Sequence, residues 1–229
     1  MQGTFQPTRS AIISTLLILA VLVGLGTWQV QRLAWKSGLL AHIEAQMQKP
    51  PVPMPEKIDD PSEWEYRRVT LAGSFLYDRE FLVKPRTLDG ANGYHMLVPF
   101  RRASGGAVMV NRGWISDALM PKAVRPPGLI QIEGIVQLPH HTSFTPPNAP
   151  EKNDWYWADI EAMAAAAKLK NVAPVIVNIA SKEPGVYPAG GKVEANISNN
   201  HMQYAIFWYV MALISQIIFF IRHWKPAPA

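Results

Sequence analysis

In the stretch "NNHMQYAIFWYVMALISQIIFFIRHW", His201 stands at the entrance to an apolar run without charged residues, residues 202–221. On a helix, Tyr204, Ala205 and Trp208 follow it at i+3, i+4 and i+7 and share its face. A neutral imidazole can coordinate iron through one nitrogen while the other donates a hydrogen bond. The small Ala205 would leave open room for a flat macrocycle, with Tyr204 and Trp208 packing on it. The spacing therefore offers His201 as a candidate haem-iron ligand.

A second group of candidates lies near the end of the other apolar run. Trp28, Arg32 and Trp35 recur at i, i+4 and i+7, and Arg32 could pair with propionate-like carboxylates. Both groups also have a simpler interpretation. Amphipathic rings are enriched at the headgroup level of membranes, and arginine at the end of a span reaches toward the headgroups. Spacing alone leaves both interpretations open.

Other arrangements of reactive residues are weak in this chain. The absence of cysteine excludes thiolate metal sites, disulfides and cysteine nucleophiles. His140 and His141 are adjacent in a proline-rich stretch, which is not the spacing of a metal pair, and His95 and His42 have no convincing partner. Paired carboxylates, a Ser/His/Asp arrangement and a phosphate-binding glycine loop do not stand out. We therefore expect no enzyme and no catalytic residues.

Two apolar runs, residues 11–30 and 202–221, each reach the roughly 20 residues that a membrane-spanning helix needs. The first run is longer than the apolar core of a signal peptide and is followed by bulky residues, so we expect an uncleaved anchor. The predicted organisation comprises these segments: a tail over 1–10, a span over 11–30, a helix continuation and proline-rich linker over 31–55, a β-rich domain over 56–200, a span over 201–221, and a tail over 222–229.

Charge bias gives the predicted orientation. The short tails carry Arg9, Arg222 and Lys225, which favours tails in the cytoplasm, although Arg32 and Lys36 flank the spans on the other side. Long domains are exported largely regardless of charge. We therefore expect the middle domain outside the cytoplasm. The net charge of +5 is scattered rather than gathered in a stripe, so we expect no nucleic-acid partner.

The middle segment changes to a period of two. Short stretches rich in β-branched residues, such as "YHMLVPF", "AVMVNRGW" and "LIQIEGIVQL", are separated by turn residues. One helix is predicted over 159–170, where Asp159 can cap its start. The loop over 183–200 then leads to the second span. The predicted fold is an α+β membrane protein, with two transmembrane helices flanking a mainly antiparallel β-sheet or small barrel with one helix.

Several motifs occur in an order that resembles the surfeit locus protein 1 family. "GTWQVQRLAWK" at the end of the first span, "YRRVTLAGSF", "GYHMLVPF", "VNRGWI" and "NNHMQYAIFWY" are each similar to segments of that family. Met202 stands where the family usually has leucine, and Ile206 where a small hydroxyl residue is common. Both departures keep the surface apolar. The resemblance extends through almost the whole chain.

The resemblance implies an assembly factor for haem-copper cytochrome c oxidase. It further implies that His201 binds haem a, with Arg32, Trp28, Tyr204 and Trp208 as further cofactor-binding candidates. The implied partners are oxidase subunit I, a haem a synthase and the membrane, and the implied location is a bacterial inner membrane with the middle domain in the periplasm.

Two other functions remain open at this level. In one, the chain is a cofactor-free scaffold that stabilises an oxidase intermediate, with the motif Asn111, Arg112, Gly113 and Trp114 as candidate partner-binding residues. In the other, it is a membrane-anchored enzyme acting on lipid or peptidoglycan, which needs acid/base groups that the sequence does not show.

Overall fold

The structure, a computed structural model, describes residues 3–179, 185–190 and 200–226. The chain divides into two compact units. One contains the two long helices and the other is formed by Ile43–Glu194. Most of the predicted loop over 183–200 lies outside the described residues. The helices are α1 (Arg9–Gln48), α2 (Ile160–Ala166) and α3 (His201–His223).

The strands, in chain order, are β1 (Gly3–Phe5), β2 (Val52–Pro53), β3 (Arg68–Phe75), β4 (Phe81–Leu88), β5 (Ala91–Arg102), β6 (Ala107–Ile115), β7 (Ile130–Gln137), β8 (Val172–Asn178) and β9 (Trp224–Pro226). Short 3-10 helices lie at Pro61–Trp64, Tyr77–Arg79, Asp117–Lys122 and Pro150–Lys152.

The helical unit is built from α1 and α3, and both are long and apolar enough to cross a membrane. At 1.5 Å per residue, the 40 residues of α1 extend about 60 Å, roughly twice the hydrocarbon thickness of a bilayer. Most apolar side chains of both helices are exposed, which a bilayer would cover. Next to the helices, β1 pairs antiparallel with β9, so that Phe5 lies opposite Trp224. Residues 3–5 and 224–226 therefore meet at one end of the helix pair.

The second unit is a small barrel. Its strand order is β2-β3-β7-β8-β6-β5-β4, and β3 also pairs with β5 through Gly73–Phe75, which closes a ring of five strands. Five of the seven pairings are antiparallel, whereas β6 with β8 and β2 with β3 are parallel. The predicted fold class, two apolar helices flanking a mainly antiparallel barrel-like sheet, is confirmed.

Strand β6 buries both of its faces, because one face points into the barrel and the other packs against helix α2 and the segment before it. On β6, Val108 and Val110 belong to the inner cluster, which also contains Phe100 and Val175. The residue between them, Met109, packs in a separate cluster with Leu97, Trp155 and Met163. The alternation of side chains along a strand produces this division.

Helix α2 is shorter than the sequence predicts. The Asp159 carboxylate accepts a hydrogen bond from the Ala162 backbone at 3.0 Å, as expected of a helix cap. The helix ends at Ala166, because Lys168 adopts a left-handed backbone (φ 52°) and the Leu169 amide bonds to Ala164. Lys168 and Lys170 therefore lie beyond the helix rather than in its last turn.

Candidate functional site

A hydrogen bond between the two long helices holds the imidazole of His201. Its Nδ1 lies 2.6 Å from Oε1 of Gln29, which is 9% exposed on α1. A carbonyl oxygen can only accept, so Nδ1 carries the proton and donates it to Gln29. The lone pair is then on Nε2, the nitrogen available to a ligand. A ring fixed in this tautomer is typical of histidines that bind metals, whose second nitrogen is held by an acceptor.

Gln29 can reach His201 because α1 and α3 approach closely near this end. A Cβ added at Gly26, one turn before Gln29, would lie 2.8 Å from the Tyr209 ring of α3, which is too close for a side chain. Next to it, Thr27 Oγ1 and the Tyr209 hydroxyl are 3.2 Å apart. Small residues at such points allow transmembrane helices to pack tightly. This packing places Gln29 against the first turn of α3.

The tryptophan and arginine candidates of α1 lie on the exposed stripe beside this contact. The Trp28 ring meets His201 edge to face, with the ring centres 6.5 Å apart, and Trp28 is 54% exposed. The Arg32 guanidinium lies 4.0 Å from the centre of the Trp35 ring, a stacking that positions its charge. The charges of Lys36 and Arg32 both act on His201 electrostatically.

In the structure, the residues that were predicted to share one face of α3 differ in exposure. Ala205 is 2% exposed, so the expected open room beside it does not exist, and that expectation is wrong. Because small residues permit close approach, Ala205 and Ala212 lie on the buried side of the helix. Tyr204, by contrast, is 55% exposed. Trp208 is half-buried, about 10 Å along the helix from His201, and packs against Phe207.

These residues fit a haem chemically, although by a different surface from the one expected. At the end of the helical unit where α3 begins, Nε2 of His201 is available on a partly exposed ring. Exposed aromatic surface from Trp28 and Tyr204 lies beside that ring or one turn from it. The cations of Arg32 and Lys36 are of the sign that propionates need. These residues would supply an axial ligand, apolar cover and positive charge to a haem.

The motif on β6 forms a hydrogen-bonded chain inside the barrel unit. Nδ2 of the buried Asn111 donates to Oδ1 of Asn178 at 2.9 Å, and its Oδ1 accepts from the Gly113 backbone at 3.0 Å. Asn178 in turn donates to Oε1 of Gln137 at 3.2 Å. The amides thus link β6, β8 and β7 across the barrel wall. A buried polar network of this kind is stabilising only when its members are satisfied.

Gly113 and Trp114 also have structural surroundings. Gly113 has φ 119°, and a Cβ there would overlap the carbonyl oxygen of Ala189. Trp114 exchanges backbone hydrogen bonds with Ala189 at 2.7 and 2.8 Å, and its indole donates to the Arg86 carbonyl at 3.2 Å. The left-handed backbone and the close approach both require glycine at position 113. Partner binding by this motif stays a prediction.

Arg112 is the member of the motif whose side chain could meet a partner. Its guanidinium lies 5.2 Å from the Phe75 ring and 5.3 Å from the Tyr77 ring. Burial lowers the pKa of Arg112, and its Nη1 has no hydrogen-bond partner within the described structure. A desolvated cation with an unused donor favours contact with an acceptor.

The other histidines are dispersed. His141 stacks on Trp157, with ring centres 4.2 Å apart, whereas His140 and His95 line a cavity in the barrel unit. Within residues 3–179, 185–190 and 200–226, no group of three or more His, Asp or Glu side chains is arranged to hold a metal ion. A haem, which brings its own equatorial ligands, needs only one imidazole.

Gln29 is the residue that reasoning from the sequence missed as a site residue. Gln29 stands directly after Trp28, but the pattern of tryptophan and arginine residues lies on the neighbouring face of the helix. That pattern therefore gives no indication of Gln29. The signal that could have revealed it is its place in the helix period, because Gly26, Gln29 and Leu33 share one face. A polar amide on the packing face of an apolar helix needs a hydrogen-bonding partner.

Comparison with known proteins gives consistent results over most of the chain. The model of the SURF1 family matches residues 16–213. A "SURF1-like protein" from Monosiga brevicollis is 36% identical over 215 residues, covering 85% of this chain and 80% of that protein. "Surfeit locus protein 1" of Mus musculus and of Homo sapiens are each 32% identical over 93% of this chain, covering 76% and 77% of those proteins. The match includes both long helices in large part and the whole barrel.

Proposed function

The chain belongs to the SURF1 family, and from this membership we propose that it is an assembly factor for haem-copper cytochrome c oxidase that binds haem a through His201. The haem is cargo, and no covalent bond is made or broken by the chain. The role in oxidase assembly follows from the family. Haem binding is supported by the residues of the helical unit.

The observation that carries the haem proposal is the hydrogen bond from Nδ1 of His201 to Gln29. An imidazole held in this way keeps its proton on Nδ1. Its Nε2 is unprotonated, and the lone pair of that nitrogen is available to a metal. Gln29 is buried, so water competes little for its carbonyl oxygen. The iron of haem a would accept the lone pair of this nitrogen in a coordination bond.

The surrounding residues would hold the rest of the cofactor. We assign Trp28 and Tyr204 to contact with the macrocycle because both expose large rings beside His201 or one turn from it. Trp208 is a weaker candidate, because it lies farther along α3 and is half-buried. Arg32 would pair with a propionate, since its guanidinium is oriented by stacking on Trp35.

The partners and location belong to the same proposal. We place the chain in a bacterial inner membrane with both ends in the cytoplasm and the barrel in the periplasm. The short ladder between β1 and β9 supports a common side for the two ends. Oxidase subunit I would receive the haem, and a haem a synthase would deliver it.

The experiment is purification of the full-length chain in detergent after co-expression with a haem a synthase. We expect haem a in roughly stoichiometric amount, seen in the absorption spectrum, and its loss in His201→Ala. The matched control is His223→Ala at the other end of α3, where Nδ1 bonds to the Phe219 carbonyl. That variant should keep its haem. Unchanged haem content in His201→Ala would remove His201 as the ligand.

A second candidate, the cofactor-free scaffold, is favoured by the unsatisfied guanidinium of Arg112. In that case haem would be absent from every preparation. Arg112→Gln would then reduce oxidase assembly in cells. Because it also removes the contacts of the guanidinium with the Phe75 and Tyr77 rings, denaturant unfolding checks that the purified variant stays folded. The two functions are separated by the haem content of the wild-type protein.

A further inference from the structure

A cavity of about 230 Å³ lies on the outer face of the barrel wall, and six of the eleven described residues that line it are polar. Five neighbouring strands supply the floor, and Ala158, in the segment before α2, contributes to the lining. The polar side chains of the lining are Arg86, His95, Asn111, Gln137, His140 and Asn178. Apolar cavities of this size can stay empty, whereas polar ones hold water or a ligand that satisfies their polar groups.

The amide row at the floor leaves donors unused. Asn111 donates to Asn178, and Asn178 donates to Oε1 of Gln137. Because Oε1 of Gln137 accepts the last hydrogen bond of this row, the Nε2 of Gln137 is the free end of the row. Its two N–H groups can donate to a ligand in the cavity. The direction of the row thus offers hydrogen-bond donors, rather than acceptors, at this end.

Arg86 supplies a cation without a matching anion. Its guanidinium donates to the carbonyl oxygens of Pro85 at 2.7 Å and Tyr156 at 3.5 Å, the second contact being long. Burial lowers the pKa of Arg86. Among the described residues that line the cavity, none carries a carboxylate. A partly desolvated guanidinium in this state favours an anionic partner.

His95 sits beside that cation on the adjoining strand. Burial, with a further contribution from the charge of Arg86, lowers the pKa of His95 to about 4. The imidazole is therefore neutral at pH 7 and adds a donor or acceptor but no charge. The partly buried Arg86 therefore supplies the positive charge that faces the cavity, whereas His140 is exposed at its rim.

From this arrangement we propose that the cavity binds a carboxylate, with the guanidinium of Arg86 pairing the anion and Gln137 donating to it. One partly buried cation matches a monoanion, whereas a phosphate dianion would leave a negative charge uncompensated. The planar guanidinium fork suits the two oxygens of a carboxylate. The volume is below the roughly 300 to 1,000 Å³ of pockets for larger ligands. The ligand is therefore a small organic acid or the terminal carboxylate of a polypeptide.

The test is calorimetric titration of the full-length protein in detergent at pH 7. The probes are butyrate, an acetylated tripeptide with a free carboxylate, and the neutral amide of each. We expect binding of at least one acid and of neither amide. Preference for butyrate would assign the site to a small acid, and preference for the tripeptide would assign it to a polypeptide terminus. Absence of binding by both acids would overturn the proposal.

Two pairs of variants locate the binding. Arg86→Gln should weaken it by at least about 30-fold, as expected when one partner of a buried charge pair is removed. Arg101→Gln removes an exposed arginine from β5 and should leave affinity unchanged. If Arg86→Gln does not fold, Gln137→Met gives the same test against Gln131→Met, an exposed glutamine on the same strand. Equal affinities within the folded pair would overturn the proposal.

Discussion

At the residue scale, the informative side chains are polar groups placed where the surroundings are apolar. Gln29 lies on the packing face of a membrane-length helix, and Asn111 lies in the wall of a barrel. Gln29 accepts a hydrogen bond from His201, and Asn111 donates to Asn178 and accepts from the Gly113 backbone. Leaving such a group unpaired costs roughly 1–3 kcal/mol, so these pairs restrict how the elements can pack.

The first prediction concerns Gln29. Gln29→Leu removes the acceptor that fixes the His201 tautomer, and we expect haem affinity to fall about 10- to 100-fold, the usual effect of losing such a partner. Gln29→Glu keeps an acceptor and should keep most of the affinity. Haem titration followed by absorption measures both. The exposed Gln31 gives the control, since Gln31→Leu changes the same side chain away from the contact. Equal affinities in Gln29→Leu and Gln31→Leu would contradict the role assigned to Gln29.

The second prediction follows from the low pKa of His95. Burial, chiefly, and Arg86 lower the pKa of His95 to about 4, against about 6.5 in an unfolded chain. Below pH 6.5 the unfolded state binds a proton that the folded state does not. The barrel should therefore lose stability as pH falls from about 6.5 to 4, by about 3 kcal/mol in full.

Denaturant unfolding at several pH values measures this loss. In His95→Gln the fall in unfolding free energy over that pH range should be smaller than in the wild type by that amount. His141→Gln, which removes a histidine stacked on Trp157, should behave like the wild type. The difference between variants matters because carboxylates also titrate toward the acid end. If the unfolding free energies of the wild type and His95→Gln fell in parallel with pH, the folded state would not hold the pKa of His95 below its value in the unfolded chain.

At the element scale, close approaches of backbone decide how strands and helices meet. On α1, Gly26 lets the Tyr209 ring of α3 approach. On β6, Gly113 lets Ala189 pair with Trp114. In both cases a Cβ would occupy the space of another element. These glycines are therefore part of the tertiary structure rather than local breaks in a helix or strand.

The third prediction tests that statement on β6. Gly113→Ala introduces a left-handed alanine and an overlap with Ala189, and we expect a loss of about 2–4 kcal/mol in unfolding free energy. Gly105→Ala is the matched control, because Gly105 has φ 108° but no atom within 4 Å of its added Cβ. It should cost about 1 kcal/mol from backbone strain alone. Denaturant unfolding distinguishes the two, and equal losses would mean that the contact with Ala189 is unimportant.

At the scale of the whole molecule, the absence of cysteine provides a direct test of topology. The chain has no native thiol, so any label reports an introduced site. Ser104 lies in the exposed turn between β5 and β6, and Gln6 is exposed beside the ladder of the two termini. These two positions belong to the two predicted sides of the membrane.

The fourth prediction is that a membrane-impermeant maleimide labels Ser104→Cys in intact bacterial spheroplasts, whereas Gln6→Cys reacts only after lysis. The reason is the positive charge of Arg9, Arg222 and Lys225 in the short tails, which favours tails in the cytoplasm. The unmodified chain is the blank. The reverse pattern of labelling would place the barrel in the cytoplasm and exclude delivery of haem at the outer surface.

How much could be predicted from the sequence differs between the two units. Both long helices could be predicted because about 20 apolar residues without charge leave a helix as the practical solution in lipid. The strands of the barrel could be predicted from their period of two. Closure of the ring could not, because the pairing of Gly73–Phe75 with β5 joins residues far apart in sequence. The end of α2 was also missed, because a left-handed Lys168 has no strong local signal.

By itself, the sequence determined the two apolar helices, the β-rich segment between them and the family, and it offered His201 as a candidate ligand. Those features rest on local composition, periodicity and ordered motifs. Only the tertiary structure decided that Gln29 holds His201, that Ala205 is buried, and that Arg86, His95 and the amide row share one cavity. The physical reason is that contacts between elements depend on strand register and on how closely two elements approach. Hydrogen bonds and missing Cβ atoms set both, and they act between residues that are far apart in the sequence.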